Sequence, residues 1–164
     1  MNFDLTEEQQ AVRDTFARFC DERIAPAAEA LDESHAYPME LVRELAELGF
    51  VAMRYPEEDG GSGVDLQTFC LALREIARGS LSVGGCIAMQ SLMGTKFLHM
   101  LGNDDIKQRL LQPALQGQKI GGICMTEPNA GSNLGAMKTR AVKVDGGWKL
   151  NGQKMWVTAA PVAD

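Results

Sequence analysis

A chain of 164 residues, 45% of them hydrophobic and 23% charged, is long enough to bury the core of one globular domain. Its formal net charge of −6 leaves no basic stripe for nucleic-acid phosphates, and no apolar run reaches membrane-spanning length. The acidic, amphipathic start from Met1 to Glu8 reads as neither a secretory signal nor an Arg-rich transit peptide, which points to a cytoplasmic protein.

Thr6 opens a capping box with Gln9: its hydroxyl can accept from the Gln9 N–H while the Gln9 side chain reaches back. Val12, Phe16, Phe19, Cys20 and Ile24 then recur at helical spacing. They predict a first helix from about Thr6 to Ile24, with Pro26 as a break or a kink. Tyr37-Pro38 opens a second helix with proline in its first turn; Leu41, Leu45 and Leu48 form its apolar stripe and Gly49 ends it. The breakers and acids from Pro56 to Gly63 make a loop, with Glu57, Glu58 and Asp59 read as solvated surface like the acids of the helix faces. Asp65 caps a third helix with Phe69, Cys70, Leu73, Ile76 and Ala77 inward, broken at Gly79-Ser80. Leu81 to Leu101 is so apolar and small that it predicts a central, buried helix, open to close approach by a neighbour or a ligand. Asn103 caps a last helix, with Ile106, Leu110 and Leu111 inward and Pro113 near its end.

Near Gln118 the character changes. Ile120 to Met125 reads as a short buried strand running into Thr126-Glu127-Pro128-Asn129-Ala130-Gly131-Ser132. That stretch offers two hydroxyls, a carboxylate and a small-residue turn. Its glycine permits a positive φ or the close approach of a ligand, and N–H groups exposed in such a turn can cradle an anion. On residue types alone it is either a ligand loop leaving a strand or an ordinary inter-strand turn. Lys138 to Asp145 alternates like a half-exposed strand, Asp145-Gly146-Gly147 is a hairpin turn, and Trp148 to Leu150 is the return strand. Asn151-Gly152 is a further turn signal before Lys154 to Thr158, a third strand. Such a sheet would leave an exposed edge, so the β part reads as incomplete. Cys20, Cys70, Cys86 and Cys124 form no C-x-x-C pair and sit among apolar residues, as buried reduced thiols do. Neither His35 nor His99 has a metal-like neighbour in sequence, so no structural metal is expected.

The order Met125-Thr126-Glu127-Pro128-x-Ala130-Gly131-Ser132-x-Leu134-Gly135 resembles the signature of the acyl-CoA dehydrogenases, flavin enzymes that desaturate acyl thioesters. Tyr55 to Asp65 resembles that family's loop between N-terminal helices, and Asn151 to Thr158 its second flavin-contacting strand. The resemblance implies a mainly α chain with a partial β layer. Residues 1–118 would form an N-terminal helical bundle, and residues 119–164 the first strands of a β-barrel-like, flavin-binding middle domain.

By the same resemblance the cofactor is FAD. Ile123 to Thr126 would run along the isoalloxazine edge, with the Met125 backbone and the Thr126 hydroxyl at its pyrimidine ring. Gly131 and Ser132 would sit at the pyrophosphate, with Ser132 also near substrate. Trp156 would lie against the flavin and Thr158 near its N5 region. Ala88, Ser91 and Leu92 fall where the family lines its acyl pocket, or else belong to the core of a buried helix. The implied substrate is an acyl-CoA or a carrier-protein acyl thioester, the electron acceptor an electron-transfer flavoprotein, and the assembly a homo-oligomer. A flavin oxidase or monooxygenase on the same scaffold is the alternative, and a non-catalytic helical interaction module the alternative from another class. The family's carboxylate base lies on later segments; no residue of this chain matches it, and none is assigned as catalytic. Asn133 stands where the family usually has Asp, Ile123 where an aromatic is common, and Ala159 where Asn often follows the threonine.

Overall fold

Helix α1 (Glu7–Phe19) begins at the capping box, with Thr6 Oγ1 accepting from the Gln9 N–H and Gln9 Oε1 from the Thr6 N–H, both at 3.2 Å. The computed structural model describes residues 4–164; residues 1–3, part of the stretch read above for targeting signals, lie outside it. The expected end at Ile24 is overturned. A π turn (Cys20–Ile24) carries the chain straight into α2 (Ala25–Ser34). Pro26 is the reason: a proline removes one N–H and its ring crowds the carbonyl four residues back. In the widened turn the Ala25 N–H donates to the Cys20 carbonyl, five residues back, and the helix continues past the proline. A second π turn (Lys107–Leu111) stands in the same relation to Pro113, with the Gln112 N–H donating to the Lys107 carbonyl.

Helix α3 (Met39–Glu47) follows Pro38, which caps it from outside rather than opening its first turn. Gly49 takes φ +84° just beyond its end. Leu41, Val42, Leu45 and Ala46 are buried, but Leu48 is 44% exposed, because the helix has ended and its stripe has left the core. Helix α4 (Leu66–Gly79) is capped by Asp65, whose Oδ1 accepts from the Thr68 N–H at 2.8 Å. Its inner face is Thr68, Phe69, Ala72, Glu75 and Ile76; Cys70 points outward. Phe50 joins the helices, edge-on to Phe16 at 5.6 Å and tilted against Phe69 at 4.9 Å between centroids. Glu75 is not solvated as expected: it is buried and paired with Arg74 at 2.8 Å and Arg78 at 3.0 Å, and the Arg74 hydrogen bond leads in lowering its pKa.

Leu81 to Leu101 is not one buried helix. It divides into α5 (Leu81–Met89), a π turn (Gln90–Gly94) and α6 (Lys96–Leu101). Val83, Ile87, Gln90, Ser91 and Thr95 face inward, whereas Leu81 is 79% and Leu101 78% exposed. Only one side of this run meets the rest of the described chain. Asn103 caps α7 (Asp104–Ile106), its Oδ1 accepting from the Ile106 N–H at 2.9 Å, and the chain reaches α8 (Gln112–Leu115) through the π turn before Pro113.

The β layer is a single antiparallel hairpin. β1 (Arg140–Val144) pairs with β2 (Gly147–Asn151), Val142 opposite Lys149, around a turn with Gly146 at φ +80°. Every residue of both strands is exposed, so the expected half-buried alternation is absent. Ile120 to Met125 forms no strand, and Lys154 to Thr158 is not the predicted third strand. A strand needs a ladder; Met155 N–H to Thr126 O is the backbone bond these segments share. All cysteines are free. Cys20 is buried and Cys86 half-buried, but Cys70 and Cys124 are exposed, since neither lies on a face that packs. The chain is thus mainly helical with a partial β layer, as predicted.

Candidate functional site

One side chain docks the segment after α8 onto the helices. Gln90, 1% exposed, donates through Nε2 to the Ala114 carbonyl at 3.0 Å and the Lys119 carbonyl at 2.9 Å, and its Oε1 accepts from the Gly121 N–H at 2.9 Å. The two backbones then cross so closely that a Cβ on Gly94 would lie 2.9 Å from the Gly121 carbonyl oxygen, which requires glycine there. Asp164 ties the other side, its Oδ2 accepting from the Ile120 N–H at 2.8 Å and its N–H donating to the Ile120 carbonyl at 3.0 Å. A cavity of about 440 Å³ remains, lined by Leu98 and Leu110 from the helices and by Gly122, Cys124 and Val157. Ile123 and Met125, which alternate with the lining residues, do not line it.

Beyond this point the chain is organised on Glu127, which is 7% exposed. Its Oε2 accepts from the Lys138 N–H at 2.6 Å, and its Oε1 from the Thr139 N–H at 3.0 Å and Lys154 Nζ at 2.9 Å. The Thr139 hydroxyl is buried without a hydrogen bond of good geometry, although its side chain sits close enough to act on the carboxylate. The Thr139 side chain foremost, then the Lys138 N–H and the Lys154 ammonium, holds the Glu127 carboxyl down at about 2. Backbone bonds between Glu127 and Ala130, at 2.8 and 3.1 Å, close the tip. Lys154 Nζ also donates to the Met125 carbonyl at 3.2 Å, and the Met155 N–H to the Thr126 carbonyl at 2.9 Å. Residues 125–126 and 154–155, some 30 apart in sequence, therefore lie side by side.

Around this clamp stand the residues singled out for the cofactor. Ile123, Met125 and Thr126 are half-buried, while Gly131, Ser132, Trp156 and Thr158 are exposed. Gly131 does not take a positive φ, and a Cβ there would meet nothing within 4 Å; the space before the turn is open. Among the described residues the N–H groups of Gly131 and Ser132 make no hydrogen bond. Trp156 is 83% exposed at φ +57°, an uncommon conformation for a bulky residue. Free N–H groups, hydroxyls and an uncovered indole form a donor set that fits a flat aromatic ligand with an anionic arm.

Ala88, Ser91 and Leu92 do not share one cavity. Ser91 is buried and its hydroxyl donates to the Val51 carbonyl at 2.9 Å. Ser91 and Leu92 line a pocket of about 140 Å³ with Arg54, Tyr55 and Lys96; Ala88 does not reach it. Nearby, the supposedly solvated Asp59 has a side chain only 15% exposed, its Oδ2 2.9 Å from His99 Nδ1, within ion-pair distance but off the hydrogen-bonding line. His99 is edge-on to Tyr55, whose hydroxyl meets Thr95 Oγ1 at 2.7 Å. The roles of Gln90, Glu127 and Lys154 carry no local signal; Lys154 could be singled out only by standing two residues before Trp156.

Two family descriptions match the chain: acyl-CoA dehydrogenase, N-terminal domain, over residues 6–118, and acyl-CoA dehydrogenase, middle domain, over residues 122–164. The chain is 67% identical over 164 residues to benzylmalonyl-CoA dehydrogenase of Aromatoleum aromaticum, covering all of this chain and 44% of that protein. Butyryl-CoA dehydrogenase from Megasphaera elsdenii superposes with a TM-score of 0.91 at 32% identity, over 100% of this chain and 44% of that one. The FAD complex of PigA superposes with a TM-score of 0.91 at 26% identity, over 100% and 43%. The chain spans under half the length of each of these proteins.

Proposed function

Because the chain belongs to the acyl-CoA dehydrogenase family, whose members use FAD, we propose that it serves a flavoenzyme that oxidises an acyl thioester to its α,β-unsaturated product. Residues 1–118 are the helical domain in this reading, and residues 119–164 the beginning of the flavin-binding β domain. The observation that carries it is the lateral joining of Met125–Thr126 to Lys154–Met155, which gathers the flavin-contacting candidates of two distant segments beside one open turn.

Bound FAD supplies the acceptor for the β hydride. The Met125 backbone and Thr126 hydroxyl, the N–H groups of Gly131 and Ser132, and Trp156 and Thr158 are the groups that would hold it, the turn N–H groups and the hydroxyls suiting its anionic arm and the indole its flat ring. No residue of this chain is assigned as the α-proton base. Ala88, Ser91, Leu92 and Ser132 remain the proposed acyl-side contacts.

Identity of 67% to benzylmalonyl-CoA dehydrogenase, against 32% to a short-chain specific relative, favours a coenzyme A thioester with an aryl-bearing, carboxylated acyl group. Electron-transfer flavoprotein as acceptor, a homo-oligomer and a cytoplasmic location belong to the same reading; among the described residues no helix is long and apolar enough to cross a membrane. The test is anaerobic addition of benzylmalonyl-CoA or butyryl-CoA to the purified full-length protein. Bleaching of the flavin band by the aryl substrate first is the expected result. A colourless protein, or one that neither thioester bleaches, refutes the proposal; oxygen uptake during turnover moves it to an oxidase.

A further inference from the structure

We propose that Glu127 and Lys154 form a positioning pair that couples the two flavin-contacting segments, with Lys154 as the coupling member. The proposal rests on the flavin reading above. Three pieces of chain meet at one carboxylate. The loop bearing Gly131 and Ser132 is closed by the Lys138 and Thr139 N–H groups on Glu127. The segment bearing Trp156 and Thr158 reaches the same carboxylate through Lys154 at 2.9 Å. The Met125 carbonyl, next to Thr126, takes a further bond from Lys154 Nζ at 3.2 Å.

The pair is largely withdrawn from water: the Glu127 side chain is 6% exposed and that of Lys154 22%. A charge held there depends on its partner, because water cannot replace it fully. The two members are not equivalent. Without Lys154, Glu127 keeps both backbone donors and its loop stays closed. The 154–158 segment then keeps one backbone bond to the 125–126 segment, Met155 N–H to Thr126 O at 2.9 Å. Lys154 thus sets where Trp156 and Thr158 stand relative to Met125 and Thr126, without itself needing to touch the cofactor. Arginine retains the charge and the donors; methionine keeps the length and loses both.

The experiment compares Lys154→Met, Lys154→Arg and, as control, Lys149→Met on exposed β2, all in the full-length protein. It reads amide exchange at Met155, the FAD dissociation constant, the resolved shape of the flavin band and the melting temperature. For Lys154→Met we expect Met155 exchange and the FAD dissociation constant each to rise about tenfold or more, the scale of one lost charge-assisted bond. The flavin band should shift toward that of free FAD while the melting temperature moves little. Lys154→Arg should restore exchange protection and part of the affinity, and Lys149→Met should change nothing. Unchanged Met155 protection in Lys154→Met overturns the coupling whatever the flavin does. Lost protection with unaltered FAD affinity and spectrum overturns the positioning role. A wild-type protein without FAD affinity fails the flavin reading itself, and exchange at Met155 still decides the coupling.

Discussion

Replacing Gln90 with leucine isolates the hydrogen bonds that dock the site onto the helices. Leucine has a similar volume, so the substitution removes polar contacts without opening a large cavity. The Ala114 carbonyl also accepts from the Gly117 N–H at 3.2 Å and is not orphaned. The Lys119 carbonyl and the Gly121 N–H, at 2.9 Å each, have Gln90 as their partner. Two groups left without partners at half-buried positions cost about 2–4 kcal/mol together, allowing for some rehydration. In a chain of this length each kcal/mol lowers the melting temperature by about 2–4 °C, so a fall of about 5–15 °C is expected. Calorimetry measures it, and amide exchange locates it: Gly121 should lose protection while Leu45 and Ile76 in the core keep theirs. Gln90→Glu, which can still accept from Gly121 but has no amide donor for the carbonyls, should be no more stable than the leucine variant. A melting temperature within about 1 °C of wild type for Gln90→Leu would refute the reasoning.

Gly94→Ala puts a Cβ 2.9 Å from the Gly121 carbonyl oxygen and should destabilise by about 1–3 kcal/mol through the forced backbone shift, read from denaturant midpoints. Glu127 has a folded-state pKa of about 2 against an ordinary 4.5. Its contribution to stability is therefore complete above the ordinary value and lost as pH falls toward 2. Denaturant titrations from pH 5 downward should show wild type losing stability faster than Glu127→Gln; parallel slopes would count against the clamp. Gly131→Val meets no atom of this chain within 4 Å, so it should leave the melting temperature of the FAD-free protein unchanged and abolish FAD binding, and with it the stabilisation FAD gives; stoichiometric FAD in the purified variant would make the turn merely structural.

The features legible in the sequence are those in which cause and effect lie within a few residues. Thr6 with Gln9, Asp65 with Thr68 and Asn103 with Ile106 are caps in which a side chain reaches an N–H one turn away, so residue type and spacing suffice. Gly49 ends α3 for the same local reason, and the ordered motifs from Tyr55, Met125 and Asn151 carried the family. Pro26 shows the limit of local rules. Its ring demanded a disturbance, but whether the helix would break or widen into a π turn depended on the packing on either side.

The apolar alternation at Ile120 to Met125 and Lys154 to Thr158 showed a taste for extended structure. It could not supply the ladder partners that make a strand. What only the tertiary structure decided are the pairings across long stretches of chain: Gln90 with Gly121, Asp59 with His99, Glu127 with Lys154. A glutamate or lysine has the same preferences on any surface. Its meaning changes when the fold removes water and leaves one opposite partner within reach, and that choice is made by the packing of distant segments rather than by the neighbours in the chain.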